Sequence, residues 1–336
     1  HGIDVLNPIN VTPFGVWAMR SGFHPVAACA VGADILEHPP AGEHSPADRG
    51  RSWEMLTTKP SPLLRLANRW KRRYYRRKVA RALAHADLVT GDNQCLVDCM
   101  ADWFGIPVQK LELLHWGVEP ELFQASESQL EEIRQSLGIL PGQKVVMSPR
   151  GAKPVYQADI ILRAFAEVLA TGRKDAFFLF LGAGYPVSPE IGTAAESLSE
   201  SYPNFKFIPH GLPREQIHAL WNLVDIFVSA PVYDGYSAAL AEGRYVGAIP
   251  LVNDIPAHRE SITHLSNGWI CKPFDAPTLA SDLAHLIEHS GIYRQKFAPV
   301  NRKWIMAYSI METNAQRFLE LLGNRFPSLR TGRRDG

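Results

Sequence analysis

The chain has 336 residues, 46% of them hydrophobic, and its formal net charge at pH 7 is +1. This length and composition allow a full core and favour two domains. The near-neutral charge supplies no general attraction for nucleic acid, and there is no run of about 18 apolar residues that would predict a membrane span. The N-terminus lacks the basic-then-apolar order of a signal peptide, so we expect a soluble cytoplasmic protein that does not bind nucleic acid.

The four cysteines are read as ordinary thiols rather than as metal ligands. Cys95 and Cys99 stand four residues apart in a predicted helix, which could place both on one face. No His or Cys pair at metal-ligand spacing accompanies them. We therefore expect reduced, packed thiols and no bound metal.

The first half of the chain predicts only part of a doubly wound α/β domain. The predicted strands number about half of those that a complete domain of that kind contains. The chain also opens at His1 without a methionine, so we expect its first elements to be missing. The predicted strands are Val26–Cys29, Leu88–Thr90 and Leu111–Leu114, and the predicted helices are Thr12–Ser21, Leu63–His85 and Gln94–Phe104.

The second half alternates short apolar runs with helical patterns, which predicts a parallel sheet with helices on both faces. A polar helix at Ser126–Leu137 leads to the turn Gly138–Gly142, which is interpreted as the domain linker. The predicted parts are a partial N-terminal domain (1–135), a C-terminal domain (140–290), closing helices that pack back on the first domain (291–325) and a tail (326–336). The predicted strands are Lys144–Ser148, Ala176–Gly182, Phe205–Pro209, Ile226–Ser229, Ile249–Val252 and Trp269–Cys271, and the predicted helices are Ala158–Thr171, Pro189–Ser201, Arg214–Leu223, Ser237–Val246 and Ala276–His289.

Three groups of polar or small residues come directly after predicted strands. These are Arg150, the segment Gly182–Gly184 and Asp234. In parallel sheets ligands bind beyond the carboxyl ends of the strands. We therefore expect these residues at a ligand site, with Arg150, Asp234 and Glu242 lining one crevice.

Residues 231–262 carry the most informative pattern. Asp234 and a Gly-Tyr-Ser turn precede a predicted helix, and Glu242 lies about two turns into it. The two carboxylates can accept bonds from sugar hydroxyls at different points along an extended ligand. The helix start between them offers free N–H groups and positive dipole to phosphate. The pattern indicates a nucleotide sugar.

Five segments, which follow one another along the chain in the order that the family has, resemble retaining glycosyltransferases of the GT-B fold, closest to family 4. Asp234-Gly-Tyr-Ser-Ala-Ala-Leu-Ala-Glu242 resembles the E-x7-E motif, and Glu260 matches a later Glu of the same region. The other segments are Leu-His-Trp-Gly-Val-Glu-Pro-Glu-Leu-Phe (114–123), Leu-Gly-Ala-Gly (181–184) and His210-Gly211-Leu-Pro-Arg. The resemblance covers roughly residues 20 to 320.

The resemblance implies two Rossmann-like domains facing a central cleft, with the N-terminal domain incomplete. It implies a hexosyltransferase that moves sugar from a nucleoside diphosphate to a hydroxyl acceptor, with retained configuration and without metal or cofactor. Arg150 and Asp234 are the implied catalytic residues, and Gly32 and Asp34 the acceptor-side residues. The implied donor-binding residues are Arg150, Lys153, Gly182, Gly184, His210, Gly211, Asp234, Gly235, Tyr236, Ser237 and Glu242.

Three positions depart from the family pattern. Asp234 replaces a Glu, Lys153 stands two residues early, and the segment at Gly32 and Asp34 lacks the histidine of many members. These departures keep a non-catalytic, glycosyltransferase-like binding subunit open as an alternative, together with an epimerase or a phosphorylase. Structural alternatives also remain for single residues: a helix-surface acid at Glu242, an N-cap at Asp234 and a structural histidine at His210.

A basic stretch, Arg65–Arg81, contains aromatic residues and no acid. Such a helix can lie on an anionic membrane surface, and this would suit a lipid-linked acceptor or a cell-surface glycan precursor. A solvated helix face is the alternative. The stretch therefore predicts peripheral contact at the inner membrane face. Its cations are Arg65, Arg69, Lys71, Arg72, Arg73, Arg76, Arg77, Lys78 and Arg81, and its aromatics are Trp70, Tyr74 and Tyr75.

Overall fold

The structure is a computed structural model that describes residues 3–40, 62–182 and 187–329. By its internal contacts the chain divides into two compact units. Among the described residues, the first unit contains those up to Trp116, the segment Tyr233–Tyr236 and those from Met311 onward. The second unit contains Gly117–Val232 and Ser237–Ile310. The domain ranges derived from the sequence stay a prediction.

The first unit is built on a parallel sheet whose three strands follow one another in chain order. Single parallel bridges from Leu6 to Val26 and from Ile9 to Cys29 extend the pairing beside the first strand. The strands are β1 (Ala27–Ala30), β2 (Leu88–Gly91) and β3 (Leu111–Leu113), and the helices are α1 (Val16–Ser21), α2 (Ala33–Leu36), α3 (Pro62–His85), α4 (Gln94–Phe104) and α13 (Met311–Arg325).

Local sequence explains the bounds of α4. The Asn93 side chain accepts a hydrogen bond from the Leu96 N–H at 2.8 Å, and Gly105 ends the helix at φ 66°. Leu96 and Met100, four residues apart, are fully buried on one face. The predicted helix Gln94–Phe104 is confirmed.

The predicted helix Thr12–Ser21 is wrong in its first turn. Thr12 has φ −124° and ψ 116°, and Val11–Gly15 forms an irregular turn before α1 begins at Val16. The residue before a proline is pushed toward extended backbone, and Thr12 precedes Pro13. The proline therefore delays the helix.

The second unit contains a six-stranded parallel sheet in the order β6-β5-β4-β7-β8-β9. This is the strand order of a doubly wound nucleotide-binding sheet, in which the connections reverse direction between the first and fourth strands. Those two strands are β4 and β7. The strands are β4 (Lys144–Ser148), β5 (Ala176–Leu181), β6 (Phe205–Ile208), β7 (Val224–Ser229), β8 (Ile249–Asn253) and β9 (Trp269–Cys271).

Buried apolar stripes attach the helices of this unit to its sheet. Every residue of β5 is buried, as a strand covered on both faces requires, and the helix Ala158–Ala170 (α6) buries Ile161, Phe165 and Val168 against it. The predicted α/β class with parallel sheets is confirmed, with most element ends within two residues of the prediction. The helices are α5 (Glu127–Leu137), α6 (Ala158–Ala170), α7 (Pro189–Ser201), α8 (Arg214–Trp221), α9 (Ala238–Val246), α10 (Pro256–Arg259), α11 (Ala276–Glu288) and α12 (Ser290–Tyr308).

No helix within the described ranges has both the length and the apolar character needed to cross a bilayer. The predicted closing helical segment consists of α12 and α13, separated at Ser309, where φ is −139°.

All four cysteines carry free thiols, and Cys271 is buried.

Candidate functional site

The candidate site of the second unit lies at the carboxyl ends of β4 and β7, the two strands between which the chain connections reverse direction. Arg150 follows β4 by two residues, and the segment after β7 leads to Ser237 at the start of α9. Because β4 and β7 are paired neighbours, their carboxyl ends lie side by side. Ligands of doubly wound sheets bind at this position.

Arg150 is held in place by two contacts of its guanidinium group. Nη1 donates a hydrogen bond to Ser237 Oγ, and the guanidinium carbon lies 4.8 Å from the centroid of the Tyr156 ring. Ser237 is 3% exposed and caps α9, because its Oγ accepts a bond from the Leu240 N–H at 3.2 Å. The contacts direct a cation to the N-terminus of α9.

Two positive groups therefore meet at one point. The N-terminus of a helix carries roughly half a positive charge, and the Arg150 guanidinium adds its charge beside it, so an anion is attracted to this point. Free N–H groups and a guanidinium together form a typical phosphate site. This arrangement can bind a phosphate group and stabilise negative charge that develops on it.

Glu242 lies further along α9, at a partly buried position. Its Oε2 accepts a hydrogen bond of 2.8 Å from Nε1 of Trp221, a side chain that is 1% exposed. Burial raises the pKa of the Glu242 carboxyl, and the indole bond and the charges of Arg214 and Arg150 oppose that rise. The other carboxylate oxygen of Glu242 can accept hydrogen bonds from hydroxyl groups.

His258 has no role in the sequence-based prediction, and the structure places it close enough to Arg150 for that charge to act on it. It is 1% exposed, and burial lowers the pKa of its imidazole to about 4, with Arg150 contributing. Nδ1 lies 3.0 Å from the Asn253 carbonyl oxygen, so the neutral ring donates there. Sequence analysis also missed Tyr156 and Trp221, because their partners Arg150 and Glu242 are 6 and 21 residues away.

Asp234 belongs to the first unit, in the segment Tyr233–Tyr236. There the Asn93 amide lies 3.5 Å from the Asp234 carbonyl oxygen, and the rings of His115 and Tyr236 lie 5.0 Å apart between centroids. Tyr233 donates a hydrogen bond to Glu37. The convergence of Asp234 with Arg150 and Glu242 on one crevice stays a prediction.

Of the two predicted acceptor-side residues, Gly32 lies against the segment Tyr233–Tyr236 and Asp34 binds backbone groups elsewhere in the first unit. A Cβ on Gly32 would lie 2.7 Å from the Gly235 nitrogen, and Gly32 has φ 105°, so a side chain is excluded there. Asp34 is 5% exposed and accepts bonds from the N–H groups of Val11 (2.8 Å) and Val31 (3.1 Å). Burial raises the pKa of the Asp34 carboxyl. Asp34 thus organises the backbone of its own loop.

The other predicted donor residues have varied settings in the second unit. Lys153 is partly buried at the start of a short 3-10 turn, His210 is exposed, and Gly211 has φ 71°. A Cβ on Gly182 would lie 1.9 Å from the Pro209 carbonyl oxygen, so packing alone requires glycine there. Gly184 lies outside the described residues. Ligand contact by these residues stays a prediction.

In the described ranges, no three His, Cys, Asp or Glu side chains group together as metal ligands.

Comparisons with known proteins bear on the family and the fold of the chain. The family model described as "Glycosyl transferases group 1" matches residues 129–304, just over half of the chain. Comparison with curated protein sequences finds no significant match.

Solved structures show the same fold. HepE from Anabaena, in complex with UDP and glucose, is 17% identical with a TM-score of 0.71, covering 96% of this chain and 78% of that chain. Sucrose-phosphate synthase from Thermosynechococcus elongatus is 13% identical with a TM-score of 0.73, covering 96% and 74%. A glycosyltransferase from Rickettsia africae is 13% identical with a TM-score of 0.64, covering 97% and 99%. The family match and the GT-B fold lead to one conclusion: the chain belongs to the glycosyl transferases group 1.

Proposed function

We propose that this glycosyltransferase moves a hexose from a nucleoside diphosphate to a hydroxyl acceptor, with retained anomeric configuration and without a metal ion. The acceptor oxygen bonds to the anomeric carbon as the bond from that carbon to the diphosphate breaks. The electron pair of the broken bond stays on the diphosphate oxygen, so negative charge develops there, and the diphosphate then takes up the proton that the acceptor hydroxyl loses. The observation that carries the proposal is the meeting of Arg150 with the N-terminus of α9.

The roles of the other residues follow from this placement of the diphosphate. Glu242 accepts hydrogen bonds from the ribose hydroxyls, and Asp234 accepts hydrogen bonds from the hydroxyls of the transferred sugar. Lys153 and the N–H groups of Gly235 and Ser237 add to the phosphate contacts, whereas the N–H of Tyr236, also predicted to bind phosphate, is bonded to Asp92. Gly182, Gly184, His210 and Gly211 border the donor, and Gly32 and Asp34 border the acceptor.

The donor is best identified by a release assay on the full-length protein. HepE was solved with UDP and with UDP-glucose, so UDP-glucose is the first donor to test, beside GDP-, ADP- and TDP-sugars. We expect one donor to release its nucleoside diphosphate only when an acceptor is present. Release without an acceptor would indicate the epimerase alternative, and donor binding without any release would indicate a non-catalytic subunit.

We also propose that the protein works in the cytoplasm in peripheral contact with an anionic membrane, where a lipid-linked acceptor would be found. The supporting surface lies on α3, where Trp70, Tyr74, Arg77 and Arg81 recur at helical spacing along one face. Trp70 is 64% and Tyr74 55% exposed. Exposed aromatics beside cations suit the headgroup region of a bilayer.

The neighbouring helix α1 enlarges this surface. It packs against α3, and its Trp17, with Phe14 just before it, is about half exposed. Not all of the predicted basic stretch faces outward, because Arg76 donates to the Trp103 carbonyl and lies over the Phe104 ring. The side chains of Arg65 and Arg69 lie outside the described ones. The membrane surface is therefore formed by Phe14, Trp17, Trp70, Lys71, Arg73, Tyr74, Arg77 and Arg81.

Vesicle sedimentation tests this contact. Replacement of Lys71, Arg73, Arg77 and Arg81 by Glu should abolish pelleting with anionic vesicles, since each cation near the headgroups contributes about 1 kcal/mol. The matched control reverses four exposed cations of the second unit and should pellet like wild type: Arg163, Lys174, Lys206 and Lys303. Equal pelleting of wild type and the α3 variant would disprove the membrane contact.

A further inference from the structure

Asp92 is a buried carboxylate to which neither the sequence motifs nor the proposed reaction gives a role. It follows β2 directly and is 2% exposed. It accepts hydrogen bonds from the backbone N–H of Tyr236 and from the indole of Trp116. Among the described residues, none forms a hydrogen bond with its Oδ1.

The carboxylate lies directly against the segment Tyr233–Tyr236. A Cβ built on Gly235 would lie 2.6 Å from Asp92 Oδ2 and 2.7 Å from Oδ1, so only glycine permits this approach. Gly32 also lies against Gly235, because its own Cβ would come within 2.7 Å of the Gly235 nitrogen. The backbone at Gly235, the residue after Asp234, is thus enclosed within the first unit.

This arrangement is unfavourable for stability. Burial, together with the negative charges of Asp234 and Asp34, raises the pKa of the Asp92 carboxyl to about 7, although the bonds from Tyr236 and Trp116 oppose the rise. A purely structural position would be better filled by a neutral side chain. Destabilising buried charges of this kind concentrate at functional sites.

We propose that Asp92 is a positioning residue for sugar transfer: its carboxylate fixes the backbone of Tyr233–Tyr236 and thereby the direction of the Asp234 side chain. The inference rests on the proposed role of Asp234 toward the donor sugar. Asp92 itself contacts no substrate. It acts through the Tyr236 N–H and through its close approach to Gly235.

The charge of Asp92 gives the proposal a pH-dependent readout. The carboxyl titrates near pH 4 in the unfolded chain and near 7 in the folded one, so the folded state binds the extra proton between these values. The stability that this proton contributes is present at low pH and is lost as the pH rises to about 7. The Asp92→Asn variant has no carboxyl to titrate at this position. The melting temperature of the variant minus that of wild type should therefore increase as the pH rises from about 4 to about 7. The charged or titratable groups around Asp92 are unchanged in the variant: Asp34, Asp234, Cys29 and His115.

The experiment compares Asp92→Ala, Asp92→Asn and the control Thr90→Val, which removes a buried polar atom from the same strand. Hydrogen exchange of the peptide spanning residues 233–236 reports the position of that segment without requiring catalysis. We expect exchange about 10-fold faster and kcat about 10-fold lower in Asp92→Ala, with donor KM nearly unchanged. Asp92→Asn, which keeps an acceptor oxygen, should lie between Asp92→Ala and wild type, and Thr90→Val should match wild type.

Two results would overturn the inference. One is wild-type exchange of residues 233–236 in Asp92→Ala. The other is a kcat that falls only in proportion to lost folded protein, with Asp92→Asn less stable than wild type at pH 8. If the wild-type protein released no nucleoside diphosphate from any donor, the proposed function would fail, and the exchange measurement would still test the position of Asp92.

Discussion

Replacement of Arg150 by alanine should lower kcat by about 10²-fold or more, the typical effect of losing a group that stabilises transition-state charge. The guanidinium is the side-chain cation that the structure directs to the N-terminus of α9, through Ser237. Its planar fork can bind two phosphate oxygens at once, so lysine should restore only part of the activity. Turnover with saturating donor and acceptor is the measurement.

The control for Arg150 is another arginine of the second unit. Arg163 lies on α6 with its side chain 62% exposed and pairs with Asp159 at 2.9 Å. Arg163→Ala should keep wild-type kcat. A kcat of Arg150→Ala within threefold of wild type, with the same melting temperature, would remove Arg150 from the reaction.

Replacement of Glu242 by alanine should raise the donor KM by about 10²-fold while changing kcat much less. The expected loss is that of the hydrogen bonds from the ribose hydroxyls, because the bond from the buried Trp221 indole lies within the protein with and without donor and only holds the carboxylate in place. A hydrogen bond to a charged group contributes about 1.5–3 kcal/mol, and a 10²-fold change corresponds to about 2.8 kcal/mol, so loss of the ribose contact reaches this size. Titration calorimetry with the free nucleoside diphosphate should show the same weakening.

Two further variants separate the ribose contact from the indole contact. Glu242→Gln keeps an oxygen for Trp221 and should raise the KM only about 10-fold. Trp221→Phe removes the indole donor but leaves the carboxylate, and should change the KM less than Glu242→Ala does. If Trp221→Phe matched Glu242→Ala, Glu242 would act through Trp221 and not on the ribose.

The repeating pattern of the second unit could be predicted from the sequence because its elements are locally encoded. A run such as Ala176–Leu181 is apolar throughout, and α9 is bounded by the Ser237 cap and by Gly247 in the left-handed region. Strand alternation then fixes which residues follow strand ends, so Arg150 was placed at the correct edge of the sheet. The motif Asp234 to Glu242 supplied the rest of the prediction.

What the sequence did not show depends on contacts between distant residues. The bond from Trp221 to Glu242 links α8 and α9, and the approach of Asp92 to Gly235 joins residues 143 positions apart. Gly182 gave a signal with two explanations, because Pro209 packing accounts for a glycine there as fully as a ligand would. Thr12 carried a local signal, the following proline, that the helix prediction overlooked.

The most direct test of the proposed reaction is proton NMR of the transfer product, formed in the presence of EDTA from the donor that the release assay selects. We predict product and nucleoside diphosphate in equal amounts, with the anomeric configuration of the donor retained. An inverted product, or a reaction that starts only when a divalent metal is added, would contradict the account.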